Sequence, residues 1–266
     1  MNDPILIART GDIVVWTLNN PEARNPISDA DTISALEDAV TAANRDHSVR
    51  AAILTGAGAA FSSGGNVKHM RARTGMFGGT PARLRQEYRH GIQRIPKALY
   101  HCEIPTIAAV NGPAIGAGFD LALLCDMRIA ATTAVFAESF VKVGLVPGDG
   151  GAWLLPKAIG MARACVMAFT GEPIDADTAL DWGLVSQVVE PSALLDAAHR
   201  LAARVSANPP HALRMTKRLL HEGAHQSLES LLELSAAMQA AAHHTEDHHE
   251  AVAAMLDRRP PRFAGR

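Results

Sequence analysis

The stretch that most constrains this chain is PTIAAVNGPAIGAGFDLALLCD, residues 105–126. Residues 105–110 are apolar and rich in β-forming residues, which predicts a buried strand. The Asn-Gly-Pro sequence at 111–113 breaks the strand, the Gly-Ala-Gly sequence at 116–118 turns the backbone tightly, and residues 119–125 predict a buried helix. Because the first N–H groups of a helix have no acceptor within it, and its dipole favours negative charge there, this unit predicts an anion-binding site.

Composition excludes several classes of protein. The 25 lysines and arginines nearly balance the 27 acidic residues, giving a net charge of −2, so no global field favours nucleic acid or a membrane surface. No window reaches about 18 uninterrupted apolar residues, and the N-terminus lacks the pattern of a signal peptide. The cysteines, Cys102, Cys125 and Cys165, lie in apolar surroundings, which favours a reducing compartment over a disulfide framework. We therefore predict a cytoplasmic protein.

The order of predicted elements indicates an α/β fold with two regions. Strands and helices alternate over residues 1–190, whereas residues 191–266 are helical throughout. Ser28 predicts the N-cap of a helix over residues 29–44, and Thr245 precedes acidic residues, as expected at a helix start. Residues 71–82 contain two glycine groups and a proline, which predicts either a lid over the site or a disordered surface connection.

Five segments, taken in order, carry a resemblance to a known family. They are Arg24-Asn25-Pro26, AFSSGGNVK at 60–68, residues 105–126, residues 136–151, and TEDH at 245–248 with PRF at 261–263. Together they resemble the crotonase superfamily, also called the enoyl-CoA hydratase/isomerase family. Because their spacing extends over nearly the whole chain, the sequence is identified as a member of this family.

The resemblance implies a spiral of ββα units at 1–190, and a C-terminal helical region at 191–266 that helps to build a homotrimer or a dimer of trimers. It implies an acyl-CoA thioester as substrate and no separate cofactor, because coenzyme A is part of that substrate. The backbone N–H groups of Gly65 and Ala117 are expected to bind an enolate-like oxyanion. Residues expected to contact coenzyme A are Arg24, Ala60, Lys68 and Phe263. We predict no metal site, since a helix starting at Thr245 separates the nearby histidines.

Stabilising an enolate also requires a group that moves a proton. Three carboxylates are candidates. Asp120 corresponds to an acidic position that many relatives use in catalysis, and we take it as the base; its alternative role is to stabilise the helix terminus. Asp149 lies in a second glycine turn and could instead cap that loop. Glu138 is expected near the site and could instead form a structural ion pair.

One departure from the family pattern bears on the reaction. Efficient hydratases of the family place a second glutamate where this chain has Phe140, and the two glutamates hold the attacking water. A two-glutamate hydration is therefore in doubt, and proton transfer between carbon atoms, as in double-bond isomerisation, is favoured. The alternative is a non-catalytic homologue that binds acyl-CoA or serves as an assembly subunit.

Overall fold

The computed structural model describes residues 3–266. The described residues form nine strands: β1 Ile5–Thr10, β2 Ile13–Leu18, β3 Ala51–Gly56, β4 Thr106–Val110, β5 Ala114–Ile115, β6 Met127–Ala131, β7 Val135–Ala137, β8 Ile174–Asp175 and β9 Gln187–Val189. The helices are α1 Ala30–Arg45, α2 Val67–Ala72, α3 Pro81–His90, α4 Arg94–Tyr100, α5 Ala117–Leu123, α6 Gly151–Ile159, α7 Met161–Thr170, α8 Ala176–Asp181, α9 Leu194–Ser206, α10 Pro210–Gly223, α11 Leu228–His243 and α12 Glu246–Asp257.

The strands form two sheets. Six strands pair in the order β1-β2-β3-β4-β6-β9, and only the β1–β2 hairpin of this sheet is antiparallel. A smaller sheet has the order β5-β7-β8. Parallel neighbours need crossover connections, and the helices before β3 and β4 supply them. This arrangement confirms the predicted α/β fold with a C-terminal helical region.

Alternate residues of the central strands face two apolar clusters. In β3, Ala52 and Leu54 belong to the main core, whereas Ala51 and Ile53 pack under α9 on the opposite face. Strand β4 alternates in the same way, with Ala108 and Val110 in the main core. Because successive side chains of a strand point to opposite faces, a sheet covered on both sides requires these nearly continuous apolar runs. Helix α9 of the C-terminal region thus completes the core of the sheet.

Two ion-pair clusters hold α10 against the main sheet. The Lys217 ammonium lies 2.8 Å from a carboxylate oxygen of Asp126 and also donates to the carbonyl of Ile104. The ring of His221 lies 3.1 Å from the other Asp126 oxygen. Arg214, on the same helix, pairs with Glu103 and donates to the carbonyl of Asn44. These contacts fix the C-terminal region on the core within one chain.

Three local expectations were wrong. Ser28 does not cap α1: Asp29 takes the N-cap position, and the Ser28 hydroxyl accepts from the Asn66 amide instead. Residues 71–82 are not a disordered connection, because α2 continues to Ala72, a 3-10 turn forms at Gly75–Phe77 with Met76 buried, and Thr80 caps α3, whereas the alternative of a lid stays a prediction. The sequence before β4 also predicts one helix over residues 83–102, whereas the structure has two, α3 and α4, divided at Gly91.

The start of α12 was predicted correctly. The Thr245 hydroxyl accepts from the amide of His248, as an N-cap does, and acidic residues follow in the first turn. Within residues 3–266, no helix combines the length and the apolar character that crossing a bilayer requires.

Candidate active site

Two glycine-containing turns meet beside the carboxyl ends of β3 and β4. Ser62 forms a parallel bridge with Ala114, and the Ser62 carbonyl accepts from the amide of Ile115. Gly64 has a φ of 73°, and a Cβ atom added there would lie 2.9 Å from the Ala117 nitrogen. Only glycine combines this backbone conformation with so close an approach. The loop before α2 is therefore packed directly against the first residues of α5.

Asn25 holds this loop in place from inside. Its side-chain amide donates to the carbonyls of Ala57 and Ala60, each at 2.9 Å, and the Ser62 hydroxyl donates to the Asn25 carbonyl at 2.7 Å. Asn25 is buried and has a φ of 54°, a region that asparagine tolerates better than most residues. The sequence Arg24-Asn25-Pro26 thus supports the turn that ends at Gly65.

Over residues 3–266, the fold leaves the backbone N–H groups of Gly65 and Ala117 unpaired. In the described part of the chain, neither has an acceptor within hydrogen-bond distance. Ala117 is the first residue of α5, where the helix leaves such groups without an internal partner. Two free amides on turns in direct contact can bind a negatively charged oxygen.

Three carboxylates lie next to these turns, and all are buried: Asp120, Glu138 and Asp149 are 0%, 1% and 5% exposed. Across residues 3–266, no donor makes a well-formed hydrogen bond to either oxygen of Asp120 or Glu138, or to Oδ1 of Asp149. Buried carboxylates are normally paired or hydrogen-bonded, because removing them from water is costly. Three such groups together therefore make this cluster the candidate functional site.

Gly151 allows Asp120 and Glu138 to approach each other. A Cβ atom at residue 151 would overlap one carboxylate oxygen of each, so both oxygens point at the first residue of α6. The second glycine turn was identified from the sequence, but this role of Gly151 was not. Any larger residue would separate the two acids.

The pKa values of the three acids are raised, for the same main reason. Burial, then the charges of Glu138 and Asp149, raise the pKa of Asp120 well above its usual value, and the nearby Gly151 amide offsets this only in part. Burial raises the pKa of Glu138 to about 7, although a proton shared with Asp120 acts in the other direction. Burial raises the pKa of Asp149 to about 6. Near neutral pH, the cluster can therefore hold a proton on the Asp120–Glu138 pair beside an ionised Asp149.

The structure brings most of the predicted residues together. Ala117 and Asp149 line one narrow cleft. Arg24 is exposed, and its carbonyl accepts a hydrogen bond from the amide of Ser63, two residues before Gly65. Lys68 is exposed in the first turn of α2, three residues after Gly65. Ala60 is buried, with its carbonyl bound to Asn25.

Phe263 is not near these residues within one chain. Its carbonyl accepts from the guanidinium of Arg50, immediately before β3, whereas the Gly65 turn follows the other end of β3. The length of a six-residue strand, about 17 Å, separates the two ends. If Phe263 contacts the same ligand, it must do so from a second subunit.

Sequence reasoning missed the side chains that cover the site from α2 and α3. Met70 and Phe77 lie over Gly65, with the Phe77 ring 3.6 Å from where a Cβ would be. The Tyr88 ring lies 3.5 Å from where a Cβ on Gly148 would be. Burial, and then the charge of Asp149, raise the pKa of Tyr88. The apolar side chains of Met70 and Phe77 are a sequence signal for packing against the site. The prediction of a lid or a disordered connection over residues 71–82 does not use this signal.

Comparison with known proteins identifies the family. The sequence matches the Enoyl-CoA hydratase/isomerase family over residues 8–266. The chain belongs to the enoyl-CoA hydratase/isomerase family. A probable enoyl-CoA hydratase from Rhodobacter capsulatus is 38% identical over 256 residues, covering 96% of this chain and 95% of that protein. The 1,2-epoxyphenylacetyl-CoA isomerase of Escherichia coli K12 is 34% identical over 255 residues, covering 96% of this chain and 95% of that protein.

A solved structure confirms the crotonase-like fold. An enoyl-CoA hydratase from Bacillus anthracis has a TM-score of 0.92 and 30% identity, covering 99% of this chain and 100% of that one. The named relatives include both hydratases and isomerases. Membership of the enoyl-CoA hydratase/isomerase family therefore establishes the class of protein and leaves the choice of reaction to the residues of the site.

The raised pKa of Asp149 predicts a pH dependence of stability. Because the folded state binds this proton more tightly than the unfolded state, the free energy of unfolding falls as pH rises from about 4 to about 6. Asp149→Asn removes this contribution. The free energy of unfolding of the variant minus that of wild type should therefore be about 2 kcal/mol larger above pH 6 than at pH 4. Urea unfolding across this range measures the difference, and parallel stability curves would contradict the prediction.

Proposed function

We propose that this protein moves a proton between carbon atoms of an acyl-CoA thioester and so shifts a double bond. The observation that carries the proposal is the group of three buried carboxylates without cationic partners, next to two free amides. Such a group is costly in a folded protein and is accounted for by proton transfer at a developing negative charge. Family membership supplies the class of substrate.

The proposed reaction has two proton transfers. A carboxylate removes a proton from the carbon next to the thioester carbonyl, and the electron pair of that C–H bond delocalises onto the carbonyl oxygen. The amides of Gly65 and Ala117 stabilise this oxyanion. A carboxyl group then returns a proton to the carbon at the far end of the original double bond, and the carbonyl re-forms. No water is consumed, and no metal or redox group is needed for the balance.

The order of the pKa values favours one assignment of roles. Asp149, with a pKa of about 6, is ionised first and is the better base at neutral pH. Burial, together with the charges of Glu138 and Asp149, raises the pKa of Asp120 well above its usual value, so Asp120 still carries a proton at neutral pH and can supply it. The sequence-based hypothesis made Asp120 the base. The proposal keeps Asp120 in the reaction and gives it the second transfer.

Hydration is the second candidate, and Glu138 favours it. Glu138 places a second carboxylate beside Asp120, although Phe140 occupies the position expected for a glutamate. Two acids could together activate a water molecule. However, the Phe140 ring lies 3.7 Å from where a Cβ on Gly116 would be, so an apolar group stands where the second glutamate is expected. This feature favours transfer between carbons over addition of water.

We also propose the binding side of the site. The exposed Arg24 and Lys68, which flank the Gly65 turn, are suited to the phosphates of coenzyme A. Ala60, whose carbonyl is already used by Asn25, retains its backbone N–H for the adenine end of the ligand. A homotrimer or dimer of trimers, which the family resemblance implies, would allow Phe263 of one subunit to approach the coenzyme A of another.

Following ultraviolet absorbance with three substrates tests the proposal. A 3-enoyl-CoA should gain the absorbance of a conjugated 2-enoyl-CoA. Crotonyl-CoA should lose its absorbance through hydration at a rate at least about a hundredfold lower than that of the 3-enoyl-CoA reaction, the factor that a positioned acid or base contributes. A dienoyl-CoA shows whether the shift extends to a second double bond. Rapid loss of crotonyl-CoA absorbance would establish hydration instead. Binding without turnover of any of the three would establish a non-catalytic homologue.

A further inference from the structure

An open apolar groove adjoins the site between α2–α3 and the segment after β7. Its volume is about 340 Å³, and its apolar walls are Val67, Met70, Phe77, Leu84, Val143 and Leu145. Met70 and Phe77 border the Gly65 turn, and Tyr88 joins the groove to the turn that carries Asp149. On the other side of Asp149, the cleft along α5 is closed by Ile92, Ile95 and Leu124, and is too narrow for a water molecule. The groove is therefore the open direction for an acyl group.

One charged side chain lines this groove. Arg73 is exposed at the C-terminal end of α2, and no carboxylate of residues 3–266 lies within ion-pair distance of it. Residues 67–90 contain six lysines and arginines, and their one acid, Glu87, pairs with Arg83. The region therefore attracts anions, and Arg73 is not neutralised from within the chain.

The backbone of Arg73 takes the same left-handed helix-capping conformation as Arg258 at the end of α12, and this conformation fixes where its side chain starts. Its φ is 51° and its ψ is 44°, and its amide caps α2 through the carbonyls of His69 and Met70. Glycine or asparagine fits this left-handed capping position with less strain than arginine does. Capping therefore explains the conformation but not the choice of an arginine.

We propose that Arg73 selects acyl groups that carry a carboxylate at the end remote from the thioester. This inference rests on the proposed function, because it requires an acyl-CoA at the Gly65–Ala117 turns. The acyl chain lies along the apolar walls of the groove, and the distal carboxylate meets the guanidinium at its edge. A charge-assisted pair of this kind favours arginine for its two parallel donors.

Binding of unreactive, saturated acyl-CoA pairs tests this without depending on the reaction. Glutaryl-, adipyl- and suberyl-CoA are each compared with the methyl-ended acyl-CoA of equal length by isothermal titration calorimetry on the full-length protein. At the length that reaches Arg73, wild type should bind the dicarboxylic member about tenfold or more tightly than its partner. Arg73→Gln should remove this ratio, and Arg73→Lys should retain part of it.

Arg71→Gln is the matched control, because Arg71 lies on the same helix but does not line the groove. It should leave the ratio unchanged. The proposal is overturned if wild type shows no preference at any length. It is also overturned if Arg73→Gln weakens both members of a pair equally, which would mean that Arg73 contacts the coenzyme A phosphates. Failure of wild type to bind any acyl-CoA would instead refute the proposed function.

Discussion

Asp120→Asn is expected to lower the rate of double-bond transfer about 10²–10⁴-fold, the usual contribution of a positioned acid or base. Asparagine keeps the shape of the side chain but cannot return a proton to the substrate. Binding of a saturated acyl-CoA should change little, because the amides of Gly65 and Ala117 remain. The measurement is kcat with a 3-enoyl-CoA, together with the dissociation constant of the saturated analogue.

The same variant should be more stable than wild type. Asp120 is buried beside Glu138 and Asp149 and must take up a proton on folding at neutral pH, which costs free energy. Asparagine needs no such proton, and its amide can donate to Glu138. The melting temperature should rise by about 2–4 °C for each kcal/mol regained. Loss of activity together with a gain in stability identifies an acid that is maintained for function. Replacing an acid with a structural role would lower both the activity and the stability of the protein.

Asp126 provides the contrast within the same chain. It lies three residues after the last residue of α5, and burial alone would raise its pKa, but the hydrogen bond from His221 and the charge of Lys217 lower it to about 2. Asp126→Asn should therefore cost stability, by about 3 kcal/mol, because it leaves Lys217 buried without its counter-ion. If Asp120→Asn behaved in the same way, the interpretation of the carboxylate cluster would be wrong.

The sequence predicted those features that depend on local chemistry. The strand and the helix of residues 105–126 appear as β4 and α5 because apolar runs and glycine positions are local signals, although α5 begins at Ala117, so that only Gly116 of the predicted turn lies outside it. The acids Asp120, Glu138 and Asp149 were singled out with the help of the family resemblance. The sequence does not predict that these acids lie side by side. Their proximity depends on Gly151, which is distant in sequence from Asp120 and comes near it only when α6 packs against α5.

The errors also have physical causes. Gly75, Gly78 and Gly79 suggested an unpacked loop, yet burial of Met76 and the Thr80 cap order the segment through contacts that no local pattern contains. Ser28 fits the composition of an N-cap, but its hydroxyl has a tertiary partner in Asn66. In both cases, a contact between segments distant in sequence determined the local structure.

Phe140 bears on the choice between the two proposed reactions. Its ring packs beside the turn that carries Ala117, so the side chain here is apolar where the two-glutamate hydration proposed above would need a second acid to hold water. The proposed double-bond shift needs no such group, because it only moves a proton between carbon atoms.

Ala117→Pro is expected to lower kcat about 10²–10³-fold in the folded protein, and also to lower stability, because Gly64 packs closely against the Ala117 nitrogen that would carry the proline ring. Proline has no backbone N–H, so the substitution removes one of the two proposed oxyanion donors without changing any acid. Ala117 is the first residue of α5, the position at which proline is best tolerated in a helix. Gly116, with φ 53° and ψ −122°, is not in the helical conformation that a following proline disfavours.

Leu228→Pro is the matched control, since it places proline at the first position of α11, an exposed and remote helix capped by Ser227. Leu228→Pro should keep the circular dichroism spectrum, melting temperature and activity of wild type. Ala117→Pro is assayed below its own melting temperature, where its circular dichroism spectrum shows a folded protein, and should lose activity there. Because the Ala117 amide acts on the charged oxygen, the loss should appear mainly in kcat, with a small change in the affinity for a saturated acyl-CoA. Full activity in a folded Ala117→Pro protein would place the oxyanion elsewhere and refute the mechanism, even if the carboxylates behaved as expected.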